Sequence, residues 1–328
     1  MKILRSLPSA ATGQPCALTI GNFDGVHLGH QALIRTLVDD ARTAGLPATV
    51  LTFEPHPREY FHQLARQREQ YTPPPVRIAT LRDRLTMLAR LGVQQVYLVP
   101  FDRRLAQCPA SEFVQDCLAR RLQARHIRIG TDFCFGAQRQ GDFAMLKSLG
   151  QASGIQVQAM PMVEEGGVRV SSSLIREALA QADFDWAQQM LGRPYTLSGH
   201  VVHGRRLGSQ LGFPTLNLRF ARGQPALQGI FVVQVGGLHD DPALIEPGVA
   251  SFGTRPAIEA HGQWLLEVHL LNWQGNAYGR LICVEFLKKL RDEQSFPDLE
   301  ALRRQIARDA QQARAHFKTA TDSDDQTD

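Results

Sequence analysis

Residues 16–30 read CALTIGNFDGVHLGH, and this stretch decides the fold of the first half. CALTI is an apolar run of strand length, Gly21 and Gly25 break the chain after it, and apolar positions then return at helical spacing from about His30 to Ala44. A strand that turns through glycines into a helix opens a βαβ unit. Working outward, the alternation repeats. ATVLTF, VYLVPF, HIRIG and IQVQAM read as strands, and helical patterns fall near 81–91, 111–122 and 143–152. Strands alternating with helices predict an α/β domain with a largely parallel sheet, whose ligand loops lie beyond the carboxyl ends of the strands. Residues 61–75 carry a triple proline and no clear period, and are expected to form a long mobile loop.

Two short helical patterns, SSLIREALAQ and DFDWAQQML, close this half, and the period then changes. TLSGHVV, GIFVVQV, GVASF, WLLEVHLL and RLICVEF are separated by Gly, Pro, Asn and Asp, which predicts an antiparallel sheet or small β-barrel. The boundary is expected near Arg193, giving domains at 1–192 and 193–317. A last helix, from about Leu299 to Phe317, carries Leu299, Leu302, Ile306, Ala310, Ala313 and Phe317 on one face, expected to pack on the barrel. The tail, 318–328, has too little apolar content to fold and is expected to be disordered.

Composition narrows the function classes. The 328 residues are 43% hydrophobic, enough for two cores. With 36 basic and 32 acidic side chains the net charge is only +4, so attraction to anions must come from local placement. A nucleotide suits this better than a long polyanion, and no aromatic positions interleave with a basic patch as an RNA binder would show. The N-terminus lacks a signal-peptide core and no stretch reaches a membrane span, so a cytoplasmic chain with no membrane partner is expected. Five cysteines without a CxxC pair fit neither a disulfide framework nor a zinc ribbon.

Two constellations carry chemistry. In the first, Gly21, Phe23, Asp24 and Gly25 lead to His27 and His30, which share a face at a helix N-terminus, where free N–H groups and the helix dipole favour phosphate. Two imidazoles there can donate to phosphoryl oxygens; a zinc pair or two structural histidines are the other readings. Downstream, VSSSLIR at 170–176 offers the Ser172 hydroxyl and, a turn on, Arg176 as a second anion site. In the second constellation, GRRLGSQLGFPTLN at 204–217 has Gly204, Gly208 and Gly212 but no GK[ST], so it is not a Walker A loop. If extended, Thr215 and Asn217 point to one face and present oxygens to a hydrated Mg²⁺.

These motifs stand in the order of a known family. GNFDGVHLGH, FEPHP at 53–57, GTDFCFG at 130–136 and VSSSLIR resemble the adenylyltransferase half of the bacterial bifunctional riboflavin kinase/FMN adenylyltransferases. LGRPY, GRRLGSQLGFPTLN, PGVASFGTRP, LLEVHLLN, AYGRLICVEF and LRDEQSF resemble its flavokinase half. The resemblance implies a Rossmann-like nucleotidyltransferase domain followed by a flavokinase-like barrel. It further implies a small-molecule chemistry of ATP, riboflavin, FMN and FAD with Mg²⁺, and no nucleic-acid partner. It places His27, His30 and Arg176 at the phosphates and Phe53, Pro55, Asp132 and Arg291 near the flavin. Glu267 aligns with the general base that takes the ribityl proton, although in isolation a Glu alternating with apolar residues is a solvated strand face. Ser209 stands where the family usually has Arg, with Arg205 and Arg206 beside it; Phe231 replaces the usual Tyr and Ser173 the usual Thr. The competing readings are a nucleotidyltransferase for another phosphate ester, and a flavin-binding regulator that has lost catalysis.

Overall fold

The computed structural model describes residues 1–9, 14–70, 75–204, 207–220, 223–254 and 264–324. It divides into two compact units, Met1–Pro75 with Arg84–Ser172, and Val76–Asp83 with Ser173–Asp328.

The first unit is built on a six-stranded sheet of β1 (Lys2–Leu4), β2 (Cys16–Ile20), β3 (Ala48–Phe53), β4 (Gln95–Val99), β5 (Ala124–Gly130) and β6 (Gln156–Met160). Their order is β1-β4-β3-β2-β5-β6 and every neighbouring pair is parallel. CALTI is buried at all five positions because helices cover both faces, which is why it reads as a continuous apolar run. On one face Ile34 of α1 (Leu28–Ala44) and Leu88 of α3 (Leu81–Arg90) pack with Val50 and Val96. On the other, Val114, Leu118 and Leu146 pack with Leu18 and Ile127. Leu146 belongs to α4 (Phe143–Ala152), whereas Val114 and Leu118 lie in a π-helical stretch, Phe113–Arg121, where the sequence pattern predicts an ordinary helix. The order reverses between β2 and β5, so the loops after Ile20 and Gly130 meet at the switch point where such sheets bind ligands.

The expectation of a long loop over 61–75 is corrected. Residues through Gln67 belong to α2 (Pro57–Gln67), started by a capping box in which the His56 imidazole accepts from Arg58 N and Glu59 accepts from His56 N, with Pro57 at the first helical position. Residues 71–74 lie outside the described ones.

After Val76–Asp83, the second unit takes up the chain again at Ser173, inside α5 (Ser172–Ala180), and continues through α6 (Phe184–Leu191). Six antiparallel strands come next: β7 (Thr196–His200), β8 (Leu216–Phe220), β9 (Gly229–Gly236), β10 (Ile245–Thr254), β11 (Trp264–Leu270) and β12 (Leu281–Arg291). The order β7-β12-β9-β10-β11-β8 curls into a nearly closed barrel, and Val202 N donating to Asn217 O at 2.8 Å brings the end strands together. Phe220, Phe231, Phe252 and Phe286 fill the interior, with Phe220–Phe252 and Phe231–Phe286 edge to face and Phe252–Phe286 stacked; Phe231 is fully buried against Phe184 and Phe286, a surrounding that offers its ring no need of a hydroxyl. The outward side chains Ile230, Val232 and Val249 are covered by Ala310 and Ala313 of α7 (Leu299–Asp324). That helix runs past Phe317, where the sequence pattern ends it, because backbone hydrogen bonding continues into a polar stretch and the Thr319 hydroxyl donates back to Ala315 O and His316 O. The helix thus reaches Asp324, within the 318–328 stretch, and residues 325–328 lie outside the described ones. No helix among the described residues is long and apolar enough to cross a membrane.

Candidate active sites

In the first unit the loop after β2 is built around strained backbone. Phe23 (φ 50°), Gly25 (φ 80°) and Val26 (φ 43°) take left-handed conformations, the two non-glycine residues held there by complete burial. His27 then caps α1. Its Nδ1 accepts from His30 N at 3.4 Å, which leaves Nε2 as the protonated nitrogen of the neutral ring. The two imidazoles stack at 3.7 Å between centroids, and the Phe23 ring meets His30 edge-on at 5.1 Å. Gly29 makes room for this stack, since a Cβ there would lie 3.2 Å from the His27 ring. At Gly21 a Cβ would likewise press on the Phe23 ring.

Several anchors fix the loop from outside. Gln31 donates to Val26 O at 3.0 Å, and Ser172 Oγ donates to Asp24 O at 3.1 Å, which ties the VSSSLIR segment to the histidine loop. Arg84, 4% exposed, donates to Asn22 O at 2.8 Å and pairs with Glu54 at 3.0 Å. Sequence reasoning missed Arg84, Glu54 and the capping role of His56; only the fold joins Arg84 to a loop 62 residues away. Beyond the carboxyl ends of β3 and β4, Phe53, Tyr60 and Phe61 pack around Phe101, each within 5.8 Å of it. Pro55 follows Phe53 in this wall through a cis peptide bond with Glu54. Asp132, after β5, is exposed and paired with Arg169.

Arg176 lies one helical turn beyond Ser172 and falls in the second unit, where its Nε donates to Val76 O at 2.8 Å.

In the second unit the glycine loop sits against β8. A Cβ at Gly208 would lie 2.3 Å from the backbone Phe213 O, so this position admits only glycine, and one at Gly204 would lie 2.5 Å from Asn217 Oδ1 and displace that amide; Gly212 has φ 86°. Ser209 is exposed, and Arg205 and Arg206 lie outside the described residues. Asn217 is 4% exposed, and its amide donates to Thr215 O while Oδ1 is a buried acceptor with no donor among the described residues. Directly across the ladder, Asn217 pairs with Glu267, which pairs in turn with Ser251. Opposed residues project on one face, so the Asn217 and Glu267 side chains are neighbours. Glu267 is half-buried, not the solvated strand position its pattern allows. The amide oxygen and the carboxylate are hard oxygen donors of the kind Mg²⁺ takes beside phosphates, and the Thr215 hydroxyl, two residues before Asn217, is another. His269 Nδ1 donates to Pro214 O at 2.9 Å, and burial pushes its pKa below the ordinary value.

Arg291 stands at the end of β12. Its guanidinium grips Asp309 of α7 with both Nε and Nη2 at 2.7–3.2 Å, donates to Asp292 O, and lies 5.8 Å from the Phe296 ring. Asp309 is 2% exposed and also accepts from Gln305, so the pair clamps the final helix to the end of β12.

Comparison with known proteins settles the ancestry of both sites. The FAD synthetase family profile matches residues 9–174 and the riboflavin kinase profile residues 191–317. The chain is 43% identical over 319 residues to the bifunctional riboflavin kinase/FMN adenylyltransferase of Escherichia coli K12, covering 97% of this chain and 98% of that one. The chain belongs to the bifunctional riboflavin kinase/FMN adenylyltransferase family. The Pseudomonas fluorescens member is 43% identical over 302 residues, 92% of each chain. A solved structure described as a macrolide-efflux protein from Streptococcus pneumoniae superposes with TM-score 0.73 at 27% identity, over 96% of this chain and 99% of that one. This bifunctional enzyme thus carries its FAD synthetase match over the histidine loop and its riboflavin kinase match over the barrel.

Proposed function

We propose that each reaction is run by one of the two constellations. In FMN adenylylation the FMN phosphate attacks the α-phosphorus of ATP and pyrophosphate leaves. His27 and His30 at the N-terminus of α1 stabilise the charge on the phosphoryl oxygens, with Arg176 as a further cation and Gly21, Phe23, Asp24, Gly25 and Ser172 shaping the nucleotide loop. Phe53, Pro55 and Asp132 serve the flavin side. No covalent intermediate is needed; the protein's contribution is position and charge.

In riboflavin phosphorylation the ribityl hydroxyl attacks the γ-phosphorus of ATP. Glu267 takes its proton, the glycines at 204, 208 and 212 admit the phosphates, and Thr215 and Asn217 hold Mg²⁺, which when bound neutralises phosphate charge. The observation that carries this reading is the register pair Asn217–Glu267 with a buried, undonated Oδ1 beside a carboxylate. Arg291, which also clamps α7 to the end of β12, serves the flavin in this reaction. The reading is of a cytoplasmic enzyme, in keeping with five cysteines that form no disulfide.

Glu267→Gln tests it, because the change removes the base and keeps the shape. FMN formation from riboflavin should fall about 100-fold or more, while FAD formation from supplied FMN persists. A folded Glu267→Gln protein that phosphorylates riboflavin normally removes Glu267 from the mechanism.

A further inference from the structure

The segment Val76–Asp83 lies inside the span matched by the FAD synthetase profile, residues 9–174, yet it packs as part of the second unit. Its attachment is extensive. Val76 and Arg77 pair in parallel with Gln224 and Pro225. Ile78, 1% exposed, receives the Tyr195 hydroxyl on its carbonyl at 2.8 Å, and Tyr195 is itself buried against Phe286 of the barrel core. Arg176 holds the Val76 carbonyl.

The segment ends in a capping box that does two jobs. Thr80 Oγ1 accepts from Asp83 N at 3.1 Å and donates to the Asp83 carboxylate at 2.6 Å, which starts α3. The same carboxylate accepts from Ser198 N at 3.2 and 3.3 Å and from Ser198 Oγ. Ser198 lies on β7, an end strand of the sheet order, and its amide is turned off the ladder with β12; the Asp83 carboxylate takes the place of a partner strand there.

Four residues beyond Ser198, Val202 N donates to Asn217 O, and Gly199 lies so close to β8 that a Cβ would meet Leu218 at 3.1 Å. The position of β7 therefore sets the position of Asn217. We propose that Val76–Asp83 is a strap belonging to the riboflavin kinase site, and that Asp83 is a positioning residue for it, acting through Ser198, β7 and Val202 on the Mg²⁺-holding Asn217. The inference rests on the assignment of phosphorylation to the barrel.

Full-length Asp83→Ala, Asp83→Asn and Ser198→Ala proteins test it with three readings: kcat and KM for Mg·ATP in riboflavin phosphorylation, FAD formation from FMN, and hydrogen exchange of β7 amides. A hydrogen bond to a charged group corresponds to roughly 10-fold or more. In Asp83→Ala the KM for Mg·ATP should rise about 10-fold with a smaller change in kcat and the Ser198 amide should lose protection; because Asp83 also caps α3, FAD formation is read in Ser198→Ala, where it should hold. Asp83→Asn, which keeps an acceptor, should recover part of the loss. Ser198→Ala should shift KM the same way by a smaller factor, and carries the test if Asp83→Ala does not fold. Unchanged KM with a still-protected Ser198 amide, or equal loss of both reactions in Ser198→Ala, overturns the proposal. If the unaltered protein forms no FMN, the kinase reading has failed, and the exchange measurement alone then decides whether the strap holds β7.

Discussion

At the scale of single residues, the histidine loop shows geometry set by a hydrogen atom's worth of space. His27 is positioned by the bond from His30 N to its Nδ1, by stacking on His30, and by the absence of a side chain at Gly29. Gly29→Ala therefore separates catalysis from stability. Helix propensity favours Ala over Gly by up to about 1 kcal/mol, so the melting temperature should hold or rise. The His27 ring, 3.2 Å from the new Cβ, must move, and FAD formation should fall while riboflavin phosphorylation is kept. His27→Ala or His30→Ala should cost FAD formation about 100-fold to 1000-fold, the scale of one lost transition-state donor. Separating the flavins formed from riboflavin and from FMN reads all three variants, and equal loss of both reactions would point to folding instead. The two histidines were legible in the sequence because their spacing and a helix start suffice to juxtapose them. Arg84 and Glu54 were not, because a contact across 30 residues leaves no local pattern.

At the scale of elements, local signals worked where period and length were unambiguous, and failed where a cap was unusual. α1 and α4 follow their apolar spacing, and α2 was hidden because its N-cap is a histidine, not Ser, Thr, Asp or Asn. β8 was visible only as the extended pair Thr215 and Asn217, since its outward Arg219 and short length give little alternation. One element carries a pH dependence. His269 on β11 donates to Pro214 O and so holds the loop that leads to Thr215. Burial lowers its pKa from 6.5, the Pro214 bond opposes that shift, and Arg314 adds to it. Unfolded chain takes up a proton near pH 6.5 that the folded ring resists, so the contribution to stability is complete above 6.5 and is lost as pH falls through the folded value. Thermal unfolding followed in the barrel should show a falling midpoint below pH 6.5, and His269→Gln should flatten that fall. The same slope in the variant would assign the acid sensitivity to other groups.

At the scale of the molecule, each unit has its own core, so damage to one should remain local. The sequence showed two halves through the change from helix–strand alternation to short strands. It held no sign that Val76–Asp83 packs with the second, because a segment's loyalty is decided by partners that appear 117 and 115 residues later, Tyr195 for Ile78 and Ser198 for Asp83. The clamp at the far end of the chain offers the test of locality. Asp309 is almost fully buried and is the carboxylate partner of Arg291, so Asp309→Ala leaves a largely buried guanidinium with the Asp292 carbonyl and the face of the Phe296 ring. Removing one member of a buried pair costs about 3 kcal/mol or more. The loss falls on α7, whose Ala310 and Ala313 cover Ile230, Val232 and Val249, and on Phe213, which packs in the same cluster next to Pro214 and Thr215. Riboflavin phosphorylation should drop and the barrel amides should exchange faster. The clusters around Leu18 and Ile34 contain no residue of α7, so FAD formation from FMN should continue and β2 amides should stay protected. Asp309→Asn, which keeps the shape and one acceptor, should lie between the two proteins. If exchange rises equally in β2 and in β9, the two cores unfold as one and the loss in Asp309→Ala is global.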